Sequence, residues 1–282
     1  MLPKHIPHYF APAKLNLDLR ITGRRDDGYH LLESIFVLID WGDTLAIQKR
    51  EDEQIILHTP TQGVLPENDL TVRAAHLLQQ HSSCLKGADI WIQKRIPMGG
   101  GLGGGSSDAA TVLMVLNRLW QCGFSRQKMM DLGVQLGADV PFFLFGQSAF
   151  ARGIGEQLQA IEVPDLWFNI VCPPVHIATA RIFQHPSLTR NSQPAHEISY
   201  AALQPFRNDM QSVVLAEYPQ INEIYVALSG LGVPLMTGSG ACFFLSSDNP
   251  IIAQSLANRL PENWYHHQAV LLQQHPLFDY LN

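Results

Sequence analysis

Long apolar runs are missing: no segment reaches the roughly 18 uncharged apolar residues that a membrane-spanning helix needs. The opening stretch, Met1 to Phe10, carries Lys4, His5 and His8 and has no apolar centre of signal-peptide length, so a cytoplasmic protein without a membrane partner is expected. Basic residues are outnumbered, 19 Lys+Arg against 25 Asp+Glu, which gives a net charge of −6 and a pI near 6.0. A nucleic-acid binder would normally show the opposite balance, so none is expected as partner. Cysteines are few and scattered, Cys84, Cys122, Cys172 and Cys242, with no C-x-x-C pair, and the histidines form no H-x-x-x-H or H-E-x-x-H pair. A zinc site, a thioredoxin-like redox motif and imidazole metal binding are thereby disfavoured, and no set of metal ligands is assigned.

What is present is the composition of an ordinary globular protein, 46% hydrophobic and 16% charged over 282 residues, long enough for two domains and a cleft between them. The first part alternates short β-like runs, Ala13 to Thr22, Ile35 to Ile39 and Leu45 to Gln48, the last after an expected turn at Trp41-Gly42-Asp43. Helical spacing follows over 68–80, with Asn68 or Asp69 as N-cap. Strand over 88–96 leads into a glycine-rich loop and then a buried apolar helix, Ala109 to Trp120, capped by one of Ser106, Ser107 or Asp108. A helix over 125–136, a β-like run Phe142 to Phe145 and a glycine-marked hairpin near Gly146, Gly153 and Gly155 complete this part. The pattern restarts beyond about Glu156 with a strand at 167–172, a helix at 221–228 and the turn Thr237-Gly238-Ser239-Gly240 before a strand. The fold class expected is α+β, divided into domains of residues 1–155 and 156–282.

The loop Gly99-Gly100-Gly101-Leu102-Gly103-Gly104-Gly105 has six glycines in seven positions. Without Cβ atoms, successive backbone N–H groups can converge on a phosphate, helped by the N-terminus of the following helix. Ser106 and Ser107 add hydroxyls suited to phosphate or Mg²⁺. A flexible linker would not be fused directly to an apolar strand and a buried helix. A dinucleotide fingerprint, G-x-G-x-x-G at Gly99, Gly101 and Gly104, wants an acidic residue about 20 positions on, and 109–130 contains none. A P-loop wants G-K-[ST] after the glycines, which is also missing. A different kind of nucleotide loop is called for.

Pro97-Met98-Gly99-Gly100-Gly101-Leu102-Gly103-Gly104-Gly105-Ser106-Ser107 resembles the phosphate loop of the GHMP kinases, the superfamily of galactokinase, homoserine kinase, mevalonate kinase and phosphomevalonate kinase. Four further segments, Pro12-Ala13-Lys14-Leu15-Asn16-Leu17, Asp27-Gly28-Tyr29-His30, Leu136-Gly137-Ala138-Asp139-Val140-Pro141 and Thr237-Gly238-Ser239-Gly240-Ala241-Cys242, are similar to the branch of that superfamily that phosphorylates 4-diphosphocytidyl-2-C-methylerythritol. The resemblance spans nearly the whole chain. It implies a two-domain GHMP fold, ATP and Mg²⁺ as cofactors, residues 97–107 as the ATP loop, and transfer of the γ-phosphate to the 2-hydroxyl of the cytidine diphosphate methylerythritol in the non-mevalonate isoprenoid pathway. Oligomeric state is left at monomer or homodimer.

Phosphoryl transfer needs an acceptor or orienting group for the substrate proton and positive charge for the transition-state oxygens. The resemblance assigns these parts to Asp139 and Lys14. Considered by itself, Asp139 is a turn residue ahead of Val140-Pro141, and Lys14 is a strand-end or snorkelling lysine. The resemblance also implies that Tyr29 and His30 meet the cytidine, Asn16 the methylerythritol, and Thr179 and Phe183 the substrate from the second domain. Asp108 is expected to cap the helix, with a metal role as the alternative. Asn208-Asp209 resembles an N-D-L-E element, with Met210-Gln211 in place of Leu-Glu.

Overall fold

A computed structural model describes residues 2–61 and 63–281. Two long strands, β1 (His8–Arg24) and β2 (His30–Arg50), pair antiparallel along their length, from His8 opposite Ala46 to Arg24 opposite His30. Their period-2 alternation sorts side chains onto two faces. On β2, Phe36 and Leu38 enter one core, while Ile35, Val37 and Ile39 enter a second with Ala13, Leu15 and Leu17 of β1.

The chain continues through β3 (Ile55–Leu57), α1 (Leu70–Ser82), β4 (Gly87–Gln93), α2 (Gly104–Leu119), α3 (Arg126–Gly133), α4 (Val140–Phe145), β5 (Ala149–Arg152) and β6 (Gln157–Ala160). It then forms β7 (Trp167–Val171), α5 (Thr179–Gln184), α6 (Gln211–Glu217), α7 (Pro219–Ser229), β8 (Leu235–Met236), β9 (Phe243–Ser247), α8 (Pro250–Ala257) and β10 (His266–Leu272). Among the described residues these strands make one ten-stranded sheet in the order β3-β4-β2-β10-β7-β9-β8, with β1 and β5 also on β2 and β6 on β5. The class is α+β, as expected. The 155/156 division falls in the β5–β6 turn, and β10, from the far end of the chain, pairs with β2 through Leu271 and Leu272. Helices α1 to α4 cover the first core, and α2 is buried from Ser107 to Asn117.

Several local expectations hold. Asp69 caps α1 by accepting from Thr71 N, and the helix expected over 125–136 is present as the shorter α3, Arg126–Gly133, with Ser125 as its N-cap. Three need correction. Trp41-Gly42-Asp43 is no turn, because β2 continues through it with a register shift against β1 at Asp40 and Trp41; a Cβ at Gly42 would lie 2.3 Å from the Ala11 carbonyl oxygen, so the glycine permits close approach of β1. Phe142 to Phe145 is helix, not strand: Pro141 stands in the first turn of α4, and the buried Phe142 stacks on Phe36 at 5.0 Å. Finally, α2 starts at Gly104 with Gly103 in the left-handed region as its cap, so Ser106, Ser107 and Asp108 lie inside the helix and none caps it.

Candidate active site

The glycine loop joins β4 to α2 and is stitched down on both sides. Lys14 N donates to the Leu102 carbonyl (3.0 Å), and Cys242 N to that of Gly100 (3.3 Å). Thr237 Oγ1 donates to the Gly101 carbonyl (3.2 Å). The second glycine turn, 237–240, therefore packs directly against the first. A Cβ at Gly101, where φ is +76°, would sit 2.1 Å from the Thr237 carbonyl oxygen. Leu102 is buried, and Ser107 is turned inward, its hydroxyl donating to the Pro12 carbonyl at 2.6 Å.

Beneath the loop is an ionic support that no motif in the sequence points to. Asp43 Oδ1 accepts from Arg95 N and from Ile96 N (2.9 Å), and its Oδ2 receives Lys94 Nζ, which also donates to Asp108 Oδ2 at 2.8 Å. Both carboxylates are buried. Burial pushes the Asp108 carboxyl up to about 7 against the pull of Lys94. For Lys94, burial lowers the pKa, but Asp108 and Asp43 outweigh it and the net direction is upward. Asp108 is thus held under the loop through Oδ2, its Oδ1 is buried without a hydrogen-bond partner, and it lines neither of the two concavities above it. A one-residue clue, Asp43, was hidden in what looked like a turn.

Above this support two concavities meet at the loop. One, about 270 Å³, runs along Pro97, Met98 and residues 99–106, with Lys94 at its side. The other, about 710 Å³, gathers Lys14, Asp139, Tyr29, His30, Thr179 and Phe183 with Gly99, Gly101, Gly103 and Ser106 on its loop side. Among the described residues no cluster of three metal-ligating side chains occurs, and no helix is long and apolar enough to cross a membrane.

At the junction, Lys14 Nζ lies 3.7 Å from Asp139 Oδ2. Lys14 is 2% exposed, donates to Asn16 Oδ1 at 2.5 Å and sits 5.2 Å from the Phe36 ring centre. Burial pulls the Lys14 pKa down, and the Asp139 carboxylate acts against that pull. Asp139 precedes α4 but makes no side-chain cap, and its side chain stays 34% exposed towards the cleft. Asn16 lines the cleft with its amide engaged by the protein. Its Oδ1 also accepts from Gly238 N (3.0 Å), its backbone N donates to Thr237 Oγ1 (3.1 Å), and its Nδ2 donates to Ser34 Oγ (2.8 Å). In this arrangement Asn16 positions Lys14 and the second glycine turn.

At the far end, Tyr29 is 60% exposed after the tight β1–β2 connection. His30 is buried and stacks on Phe183 of α5, ring centres 4.9 Å apart. Thr179 Oγ1 is 2.7 Å from Ser239 Oγ. Asn208 and Asp209 serve the scaffold: Asn208 Nδ2 donates to the carbonyls of Met236 (2.7 Å) and Gly238 (2.8 Å), and Asp209 Oδ2 accepts from Ile21 N (2.7 Å). Gln211, in the place of the expected glutamate, accepts from Met236 N through Oε1 (2.8 Å).

Residues 69–147 match the family described as GHMP kinases N terminal domain. The chain is 54% identical over 269 residues to the 4-diphosphocytidyl-2-C-methyl-D-erythritol kinase of Neisseria meningitidis serogroup B, covering 95% of this chain and 96% of that protein. It is 50% identical over 274 residues to the same-named kinase of Chromobacterium violaceum, covering 96% of each. A crystal structure of 4-(cytidine 5'-diphospho)-2C-methyl-D-erythritol kinase superposes with a TM-score of 0.81 at 32% identity, covering 94% of this chain and 99% of that one. The mevalonate kinase of Methanococcus jannaschii, at 15% identity and a TM-score of 0.68, shares the fold. Because identity at this level extends from end to end and takes in both sides of the cleft, the chain belongs to the 4-diphosphocytidyl-2-C-methyl-D-erythritol kinase family of the GHMP kinases and is an ATP-dependent small-molecule kinase.

Proposed function

We propose that the chain transfers the γ-phosphate of ATP to the 2-hydroxyl of 4-diphosphocytidyl-2-C-methylerythritol, a step of isoprenoid precursor synthesis. The observation that carries this reading is the Lys14–Asp139 pair in the larger cleft, beside Gly103, a loop residue that lines both the cleft and the loop groove. ATP phosphates lie along residues 97–106, and the acceptor enters from the cleft with its cytidine towards Tyr29, His30 and Phe183. In this division residues 1–155 hold ATP and the catalytic pair, and residues 156–282 add Thr179 and Phe183.

The substrate hydroxyl oxygen forms the new bond to the γ-phosphorus as the bond from that phosphorus to the β,γ-bridging oxygen breaks, releasing ADP. The hydroxyl proton passes to the Asp139 carboxylate. Lys14 keeps positive charge within reach of the developing phosphoryl oxygens, and the low-dielectric setting that depresses its pKa also strengthens that interaction. Mg²⁺ carried by ATP would neutralise phosphate charge; Asp139 and the Ser106 hydroxyl are the cleft-facing oxygens that fit it, in keeping with the preference of Mg²⁺ for few protein ligands and several phosphate oxygens. Ser106 Oγ lies 3.8 Å from a Cβ position built on Gly137, so the hydroxyl and the Asp139 segment are neighbours.

The test is ADP release from ATP and Mg²⁺ with a panel of the cytidine diphosphate methylerythritol, mevalonate and homoserine. Turnover of the first alone is expected. Absence of ADP with it would overturn the assignment.

A further inference from the structure

Behind the base-facing wall of the cleft, Arg190 turns its guanidinium onto the protein through four hydrogen bonds. Nη2 donates to the carbonyls of Phe183 (2.8 Å) and His185 (2.8 Å), and Nη1 to that of Leu188 (3.1 Å). Its Nε donates to Nε2 of His30 at 3.1 Å. A guanidinium offers only donors and keeps its protons at any physiological pH. The imidazole nitrogen that faces it has to be the acceptor, which makes His30 the neutral tautomer with its proton on Nδ1.

Electrostatics agree with the geometry. Burial, then the positive charges of Arg190 and of Arg24, its cross-strand neighbour, lower the His30 pKa and keep the ring neutral. The same guanidinium fixes the backbone of Phe183, whose ring lies at 27° to that of His30. One residue outside the cleft lining therefore sets both rings of the wall. His30 itself lines the cleft, and among the described residues no hydrogen bond is made by its Nδ1.

We propose that Arg190 is a positioning residue for nucleobase recognition: by offering His30 Nε2 only a donor it locks His30 as an Nδ1–H donor towards the cleft, favouring cytosine, whose N3 is an acceptor, over uracil, whose N3 carries a proton. The base preference rests on the cytidine reading above; the tautomer does not.

Two measurements on the full chain test this. Dissociation constants for CDP and UDP are measured with the loop site filled by a non-hydrolysable ATP analogue, in the wild type and in Arg190→Met and Arg190→Lys. The wild type is expected to favour CDP by about tenfold or more, the size of one mismatched buried hydrogen bond. Arg190→Met should lose most of that preference and Arg190→Lys part of it, while kcat and the KM for ATP stay within about twofold. An undiminished CDP preference in folded Arg190→Met overturns the proposal. The second measurement needs no variant: ¹⁵N–¹H correlation of the imidazoles in the free wild type should show His30 protonated at Nδ1 and bare at Nε2. A proton on Nε2, or a doubly protonated ring at neutral pH, overturns the tautomer lock. Failure of the cytidine reading itself would appear separately, as absence of turnover of the cytidine substrate by the wild type.

Discussion

In the function proposed above, the phosphate end of the cleft is one unbroken run of chain, residues 97–106, fixed by backbone hydrogen bonds to β1 and the 237–242 segment and underpinned by the Asp43–Lys94–Asp108 group. The base end is assembled from side chains far apart in sequence, Tyr29 and His30 from one side and Thr179 and Phe183 from the other, with Arg190 behind them. A phosphate is recognised by charge and by converging N–H groups, which a glycine run supplies locally. A nucleobase is recognised by a flat face and a hydrogen-bonding edge, which need side chains held at a spacing no local segment provides. The difference predicts that damage at the first end costs stability, damage at the junction costs chemistry, and damage at the second end costs substrate affinity.

The largest effect is expected from Lys94→Met. Removing the cation leaves Asp43 and Asp108 buried against each other, and the loss is put at about 3–5 kcal/mol of folding free energy. Denaturant titration measures it. A variant as stable as the wild type would show that the loop does not depend on its ionic support and would remove the contrast between the two ends.

At the junction, Asp139→Asn should lower kcat by at least about 10²-fold, with Lys14→Met similar, while thermal stability changes little. Single-turnover kinetics with the cytidine substrate decide it. Near-normal kcat in the first variant would remove Asp139 from proton transfer, and in the second would leave Lys14 as a structural residue.

The smallest effect belongs to the exposed ring at the base end. Tyr29→Ala should raise the KM for the cytidine substrate by about three- to tenfold, equivalent to a stacking contribution of about 0.5–1.5 kcal/mol, with kcat and the KM for ATP unchanged. If kcat fell instead, base binding and catalysis would be coupled and the two ends could not be treated separately.

Much of the site was legible because it is written locally. The glycine run, the Asp69 cap of α1 and the alternation of β1 each depend on neighbours in sequence, and the GHMP motifs carry Lys14 and Asp139 with them. The failures share one cause. Gly42 resembled a turn glycine because the Ala11 carbonyl that requires it is remote in sequence, and Phe142 to Phe145 resembled a strand because four apolar residues carry no period of their own. Ser106 to Asp108 resembled caps until Gly103 took that place.

By itself, then, the sequence determined the glycine run and the helix that follows it, the segment to which the proposed function gives the ATP phosphates, because backbone freedom and helix polarity are properties of contiguous residues. Only the tertiary structure decided what supports the loop and what orients the wall opposite. Asp43 finds Lys94 and Asp108, and Arg190 finds His30, across stretches of chain that folding alone brings together. Hydrogen bonds and buried charge depend on distance in space, and no spacing along the chain encodes that distance.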